Sequence, residues 1–172
     1  DSGMFAAIGF ARELRIPLDM GFTRNHYVGR TFIDPGQPTR DAMVMRKLQS
    51  IPEAIKGKRV CVVEDSIVRG TTSKGRIKAL REAGAREVHM RISCPPPRHA
   101  CYFGIDFPEE KKLIANRHSV DEIKEILNLD SLGYLSVKGM LSCVSAHSPE
   151  DYCTACFTGN YPVAPPVSGS IR

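Results

Sequence analysis

Hydrophobic and polar positions along the chain alternate between a helical and a strand period. Met4-Phe5-Ala6-Ala7-Ile8-Gly9-Phe10-Ala11 opens a pattern that predicts a helix over 4–15, ended by Pro17. Residues 18–22 predict a short strand. A polar, basic stretch bearing Gly and Pro follows over 23–38, long for a loop in a compact domain and of the kind that carries function. Thr39 is placed to cap a helix over 40–50, with Met43, Met45 and Leu48 as its apolar contacts. Lys58-Arg59-Val60-Cys61-Val62-Val63 ends in a continuous apolar, β-branched run, the pattern of a strand buried on both faces. A helix over 71–83 turns Ile77, Leu80 and Ala83 to one side and stops at Gly84; a strand over 87–92 follows. Strand, helix and strand in so short a span make a βαβ unit, hence a parallel sheet and an α/β fold.

After Ser93 the pattern changes. Pro95, Pro96 and Pro97 remove ladder donors and exclude an interior strand. Ser119-Val120-Asp121-Glu122 is a capping box that opens a helix reaching Leu127. A strand over 133–135, a short helix over 137–145 and a turn-rich end over 148–172 complete the chain. There is no internal repeat and no low-complexity tract.

The chain has 172 residues, with 24 Lys and Arg against 19 Asp and Glu and 42% hydrophobic residues. That length predicts one domain, at roughly 100–200 residues each. The composition is that of a globular protein and argues against disorder and against a fibre. No run approaches the ~18 apolar residues of a membrane span. Between Arg24 and Arg59 stand eight Lys/Arg (Arg24, Arg30, Arg40, Arg46, Lys47, Lys56, Lys58 and Arg59) and three acids (Asp34, Asp41 and Glu53). The excess there equals the net +5 of the whole chain. The charge is thus local and suits a small polyanion; no DNA- or RNA-binding motif accompanies it. Arg46, Lys47, Lys56 and Lys58 read as solvated surface. Asp1-Ser2-Gly3 leads straight into the first helix, without signal segment or transit-like run, so a fragment of a longer protein is expected.

The strongest motif runs from the strand over 60–63 into Glu64-Asp65-Ser66-Ile67-Val68-Arg69-Gly70-Thr71-Thr72 and then a helix. Two carboxylates at the C-terminal end of a parallel strand lie where open α/β sheets bind ligands, and they suit vicinal ribose hydroxyls. The loop after them offers backbone amides, the hydroxyls of Thr71 and Thr72 and a helix N-terminus, which suit a phosphate monoester. A plain capped helix after a strand ending in solvated acids is the bland alternative. The glycines fit neither a Walker loop nor a dinucleotide fingerprint.

This string resembles the phosphoribosyl pyrophosphate (PRPP) signature of type I phosphoribosyltransferases and, more narrowly, that of the amidophosphoribosyltransferases. Three further blocks carry the same resemblance in the same order: Asn25-His26-Tyr27-Val28-Gly29-Arg30-Thr31-Phe32-Ile33, Cys101-Tyr102-Phe103-Gly104-Ile105-Asp106, and Cys153-Thr154-Ala155-Cys156-Phe157-Thr158-Gly159. The resemblance implies a type I phosphoribosyltransferase fold over 1–146, incomplete at its N-terminus, with a mostly parallel sheet flanked by helices. An irregular Cys-bearing tail over 147–172 completes it. The implied reaction moves ammonia, released from glutamine by a glutaminase domain outside this chain, onto C1 of PRPP. Pyrophosphate leaves and 5-phosphoribosylamine forms, the first step of purine synthesis.

By resemblance, Arg24, Tyr27 and Arg30 are catalytic, in the loop that closes over PRPP and stabilises the departing pyrophosphate, and Arg suits phosphate through its planar fork. Glu64, Asp65, Ser66, Val68, Arg69, Gly70, Thr71 and Thr72 are the implied PRPP-binding residues. Mg2+ is the implied metal ion, with Ser2, Glu64 and Asp65 around it. Ser2 also fits as the N-cap of the first helix. The resemblance to the iron–sulfur branch further implies a [4Fe–4S] cluster on Cys101, Cys153 and Cys156, its fourth ligand outside this chain. On the residues alone, the CxxC at 153–156 leaves zinc and free thiols equally open. Purine nucleotides as feedback ligands, a homo-oligomer and a cytoplasmic or organellar location complete what the resemblance implies. A salvage phosphoribosyltransferase and a non-catalytic PRPP sensor are the competing functions.

Overall fold

The computed structural model describes residues 2–24, 48–105, 107, 109–144 and 148–165. Helix α1 (Met4–Leu14) leads to a two-stranded antiparallel ribbon, β1 (Phe22–Arg24) with β2 (Leu48–Ser50), and a single helical turn, α2 (Pro52–Ile55). Strand β3 (Arg59–Glu64), helix α3 (Thr71–Glu82) and strand β4 (Glu87–Ile92) form the expected βαβ unit. Two short helices, α4 (Ile114–Arg117) and α5 (Val120–Ile126), precede strand β5 (Ser131–Tyr134). Helices α6 (Val137–Leu141) and α7 (Ala155–Thr158) follow. The main sheet has the order β3-β4-β5 and is parallel throughout, with Glu64 in register with Ile92 and Ile92 with Tyr134.

One face of that sheet carries the core. Val88, Met90 and Ile92 of β4 meet Ile77 and Leu80 of α3, together with Ile114, Ile123, Leu127 and Leu129 from the segment that returns to β5. Because side chains alternate across a strand, the other face shows Glu87, His89 and Arg91, which form a polar network. Glu87 accepts from Arg59 at 2.6 Å, and His89 lies 2.9 Å from the Ser131 hydroxyl. The reading of β3 as buried on both faces is therefore corrected. Arg59 is exposed and Val60 to Glu64 are only half-buried, because β3 is an edge of the sheet among the described residues, with α1 packed against it.

Elements with a local signal fall where the sequence puts them. Glu122 caps the Ser119 amide at 2.7 Å and the Ser119 hydroxyl accepts from Glu122 N at 3.3 Å, completing the capping box that starts α5. Gly84 takes φ +89° just past α3, a conformation without penalty only for glycine. Other boundaries move. Residues 18–21 are not a strand: Leu18 and Met20 are exposed, and pairing begins only at Phe22, opposite Ser50. The helix expected over 40–50 does not include 48–50, which is β2; its remainder lies outside the described residues. The last strand begins at Ser131 rather than at 133, and the helix after it ends at Leu141 rather than at 145. Among the described residues no helix is long and apolar enough to cross a membrane.

Candidate functional site

The acid pair stands where β3 ends, at the C-terminal edge of the parallel sheet, and the chain turns there through Ser66–Gly70 into α3. Ile67 is buried in the core and Val68 accepts a 2.9 Å bond from the amide of Ile114, so the turn is pinned at two points. Gly70 at its end has φ +79°, and a Cβ there would come 2.9 Å from Cδ1 of Ile114. Only glycine meets both conditions. The first bond of α3 runs from Lys74 N to Gly70 O at 2.9 Å, which leaves the amides of the helix's first turn without an intrahelical partner. Thr71 and Thr72 are exposed beside them, as is Arg69.

The two carboxylates do not share one setting. Asp65 is exposed and one of its oxygens takes the Ser66 amide at 2.7 Å. Glu64 points to the core face of the sheet and pairs with Arg76 of α3; its side chain is only 14% exposed and that of Arg76 26%. Glu64 Oε2 and Arg76 Nε are enclosed and, among the described residues, have no hydrogen-bond partner. The two neighbouring acids thus differ in exposure: Glu64 is the last residue of β3, on the face that α3 covers, and Asp65 stands in the turn beyond it. Ser93 also belongs to the site, since its amide and hydroxyl both donate to the Glu64 carbonyl, at 2.9 and 3.2 Å. The motif did not point to Arg76 or Ser93. The one available signal for Arg76 was its place beside Ile77, on the α3 face that packs over β3.

From the other side, the entry to α1 abuts the same strand end. A Cβ on Gly3 would lie 2.6 Å from the Val63 carbonyl oxygen and 3.3 Å from Glu64 Cα, so Ser2-Gly3 is brought beside the acid pair. Gly3, not Ser2, is the N-cap residue of α1, without a side-chain cap. Arg24 ends β1 with its backbone opposite Leu48. Tyr27 and Arg30 lie outside the described residues.

The tail cysteines gather a short distance away. Cys101, Cys153 and Cys156 line one cavity of about 170 Å³ together with Phe103, Ile105, Ala155 and Tyr161. The carbonyl of Cys156 accepts from the amides of Arg98 and His99 at 2.9 and 3.0 Å, and the Tyr161 hydroxyl donates to Ala100 O at 2.8 Å, tying the tail to the segment after the prolines. Burial, with Cys101 and Cys153 adding to it, raises the Cys156 thiol. Cys94 links the two regions: burial first, then the nearby Asp65 and Cys156, push its thiol up to about 12. The three thiols line this one cavity, but among the described residues no three His, Cys, Asp or Glu side chains are placed to hold a metal ion. Glu64 and Asp65 supply two oxygen donors of the type a hard cation takes, short of a complete ligand set.

A parallel α/β sheet with an acid pair at the carboxyl end of a strand, leading into a glycine-started helix, defines an α/β domain whose candidate site lies where open sheets of this kind bind ligands. No protein-family model matches the chain. It is 51% identical to the amidophosphoribosyltransferase of Synechococcus elongatus over 166 residues, 96% of this chain and 34% of the relative. With that of Bacillus subtilis it shares 48% over 165 residues, 94% of this chain and 35% of the relative. The structure of the B. subtilis glutamine PRPP amidotransferase complexed with ADP and GMP superposes with a TM-score of 0.81 at 48% identity, covering 94% of this chain and 36% of that one. A structure described as the allosteric regulatory enzyme of purine biosynthesis gives 0.79 at 49% identity, covering 91% of this chain and 34% of the other. The chain belongs with the amidophosphoribosyltransferases over the third of their length that it spans.

Proposed function

We propose that the chain is the PRPP-using part of an enzyme that places ammonia, drawn from glutamine, on C1 of PRPP. The C1–oxygen bond to pyrophosphate breaks, a C1–nitrogen bond forms, and the nitrogen sheds a proton, leaving 5-phosphoribosylamine with inversion at C1. The observation that carries this reading is the continuous path from Glu64 and Asp65 through the pinned turn to the open first turn of α3. It offers carboxylate acceptors for vicinal hydroxyls and, one turn away, amides and hydroxyls for a phosphate. The similarity to amidophosphoribosyltransferases supports it over the same residues.

In this reading Asp65 and Glu64 accept from the ribose hydroxyls, and Arg69, Gly70, Thr71 and Thr72 hold the 5-phosphate. Glu64 and Asp65, with Ser2 close by, would hold Mg2+, which supplies charge neutralisation for the leaving pyrophosphate. Arg24, Tyr27 and Arg30 would cover the pyrophosphate, where cationic donors act on the charge that develops. Cys101, Cys153 and Cys156 would hold a [4Fe–4S] cluster with a fourth thiolate from outside this chain. Such a cluster would tie the tail to the domain. Purine nucleotides would act as feedback ligands of the intact homo-oligomer, in the cytoplasm or, as in plant relatives, in a plastid.

The test is pyrophosphate release from PRPP by the full-length enzyme, with ammonia and separately with nucleobases. Release with ammonia alone is expected. Release with a nucleobase would replace this function by salvage, and PRPP binding without turnover would make the protein a sensor. Asp65→Ala should lose PRPP affinity at least tenfold; an unchanged affinity would remove Asp65 from the sugar site.

A further inference from the structure

We propose that Arg76 is a positioning residue for the sugar end of this site: it holds one oxygen of Glu64 and leaves Oε2 as the single acceptor that this carboxylate presents to a ribose hydroxyl. The inference rests on the PRPP reading above and deepens it.

The pairing follows from the fold. Glu64 is in register with Ile92, so its side chain emerges on the face covered by α3. Arg76 stands next to Ile77, which packs on that face, and helical side chains lean toward the helix N-terminus. The guanidinium is thereby carried back over the end of β3. There it meets Glu64 through Nη1 and Oε1 alone. Arginine and a carboxylate commonly join by two parallel bonds; here Nε and Oε2 are both left unpartnered among the described residues, in a place closed to water. An enclosed carboxylate oxygen without a donor is rare and calls for one. The terminal torsion of a glutamate is soft. The side chain keeps 14% of its surface exposed, and a rotation about that torsion that keeps the Arg76 contact would bring Oε2 to a ligand at the strand end.

The pair also settles a charge problem. Two bare carboxylates would repel a polyanionic sugar phosphate. With Arg76 offsetting Glu64, the acid pair meets the substrate with the net charge of Asp65 alone. Asp65 and Glu64 then each contribute one outward oxygen, one for each hydroxyl of a vicinal diol.

The experiment uses the full-length enzyme and its Arg76→Met, Arg76→Lys, Glu64→Gln and Arg76→Met/Glu64→Gln variants. Affinity for PRPP with Mg2+ is read by calorimetric titration, and KM and kcat are measured separately. Arg76→Met is expected to weaken PRPP binding and raise its KM on the order of tenfold or more, with kcat changed by less than about threefold. Arg76→Lys, which keeps the cation, should recover most of that loss. The double variant should bind no worse than the poorer single variant, because both changes remove the same contact. Wild-type affinity in Arg76→Met, additive losses in the double variant, or a kcat loss without a KM change would each overturn the proposal. If Arg76→Met does not fold, Arg76→Lys and Glu64→Gln decide: a lysine variant that binds as poorly as the glutamine one overturns it. Wild-type enzyme that fails to bind PRPP would instead overturn the functional reading itself.

Discussion

Gly70 allows the sharpest check on the site, because two separate effects meet at one residue. Its φ of +79° lies in the left-handed region, where an L residue costs about 1–2 kcal/mol. The added methyl of Gly70→Ala would also stand 2.9 Å from Cδ1 of Ile114 and 3.6 Å from Cδ2 of Leu127, both buried core residues, and such overpacking costs about 1–3 kcal/mol. Together the two amount to about 2–5 kcal/mol, which for a domain of this size lowers the thermal midpoint by roughly 5–15 °C. Two other glycines separate the contributions. Gly57 has φ +75° with nothing within 4 Å of a Cβ, so Gly57→Ala carries the backbone cost alone, about 1–2 kcal/mol. Gly75, inside α3 and equally open, should gain about 0.5–1 kcal/mol on replacement by alanine. Thermal unfolding followed by circular dichroism, on the three variants and the parent, should order the midpoints Gly75→Ala, parent, Gly57→Ala, Gly70→Ala. A Gly70→Ala protein as stable as Gly57→Ala would refute the packing of Ile114 against the turn before α3.

Two further expectations concern single groups. With its thiol pushed up to about 12 by burial, Cys94 should resist iodoacetamide at pH 8, while the exposed Cys143 labels; mass spectrometry of the digested protein reads both, and labelling of Cys94 before unfolding would contradict its burial. Asp130 accepts the Val88 amide at 2.6 Å and the Arg81 guanidinium at 2.7 Å, and these hold its carboxyl below the ordinary carboxylate value. A carboxyl depressed in the folded state stabilises above its unfolded pKa of about 3.9, and that stabilisation disappears as pH falls through the folded value. Asp130→Asn should therefore lose about 1 kcal/mol at neutral pH, a modest figure because the group is partly solvated. The gap to the parent in denaturant unfolding should close below pH 4; a gap that stays constant with pH would exclude the charge as its cause.

Much of the architecture was readable wherever the signal is local. The run before Glu64, the helix stopped at Gly84, the strand over 87–92 and the capping box at Ser119 depend on contacts within a few residues, and each lies where the pattern puts it. Residues 18–22 and 48–50 were misread because a short apolar alternation becomes a strand only when a partner meets it. Phe22 has Ser50, while Leu18 and Met20 have none. The order of the acid pair, the turn and the helix after it was legible because residue types at fixed spacing carry that information, whereas the burial of Glu64 against Arg76 was not.

The sequence by itself determined that two carboxylates and a glycine-started helix follow one apolar strand, because hydrophobic periodicity and turn chemistry are written residue by residue. Only the tertiary structure decided what those carboxylates do. β3 ends at Glu64 with its side chain on the face that α3 covers, so the packing of α3 brings Arg76 to Glu64, while Asp65 in the turn beyond stays exposed. The parallel register places Ser93 on the Glu64 carbonyl, and the segment after β4 carries Cys94 between Asp65 and Cys156. These are contacts across 12 to 62 residues of chain, and no local pattern specifies which long-range neighbour a side chain will meet.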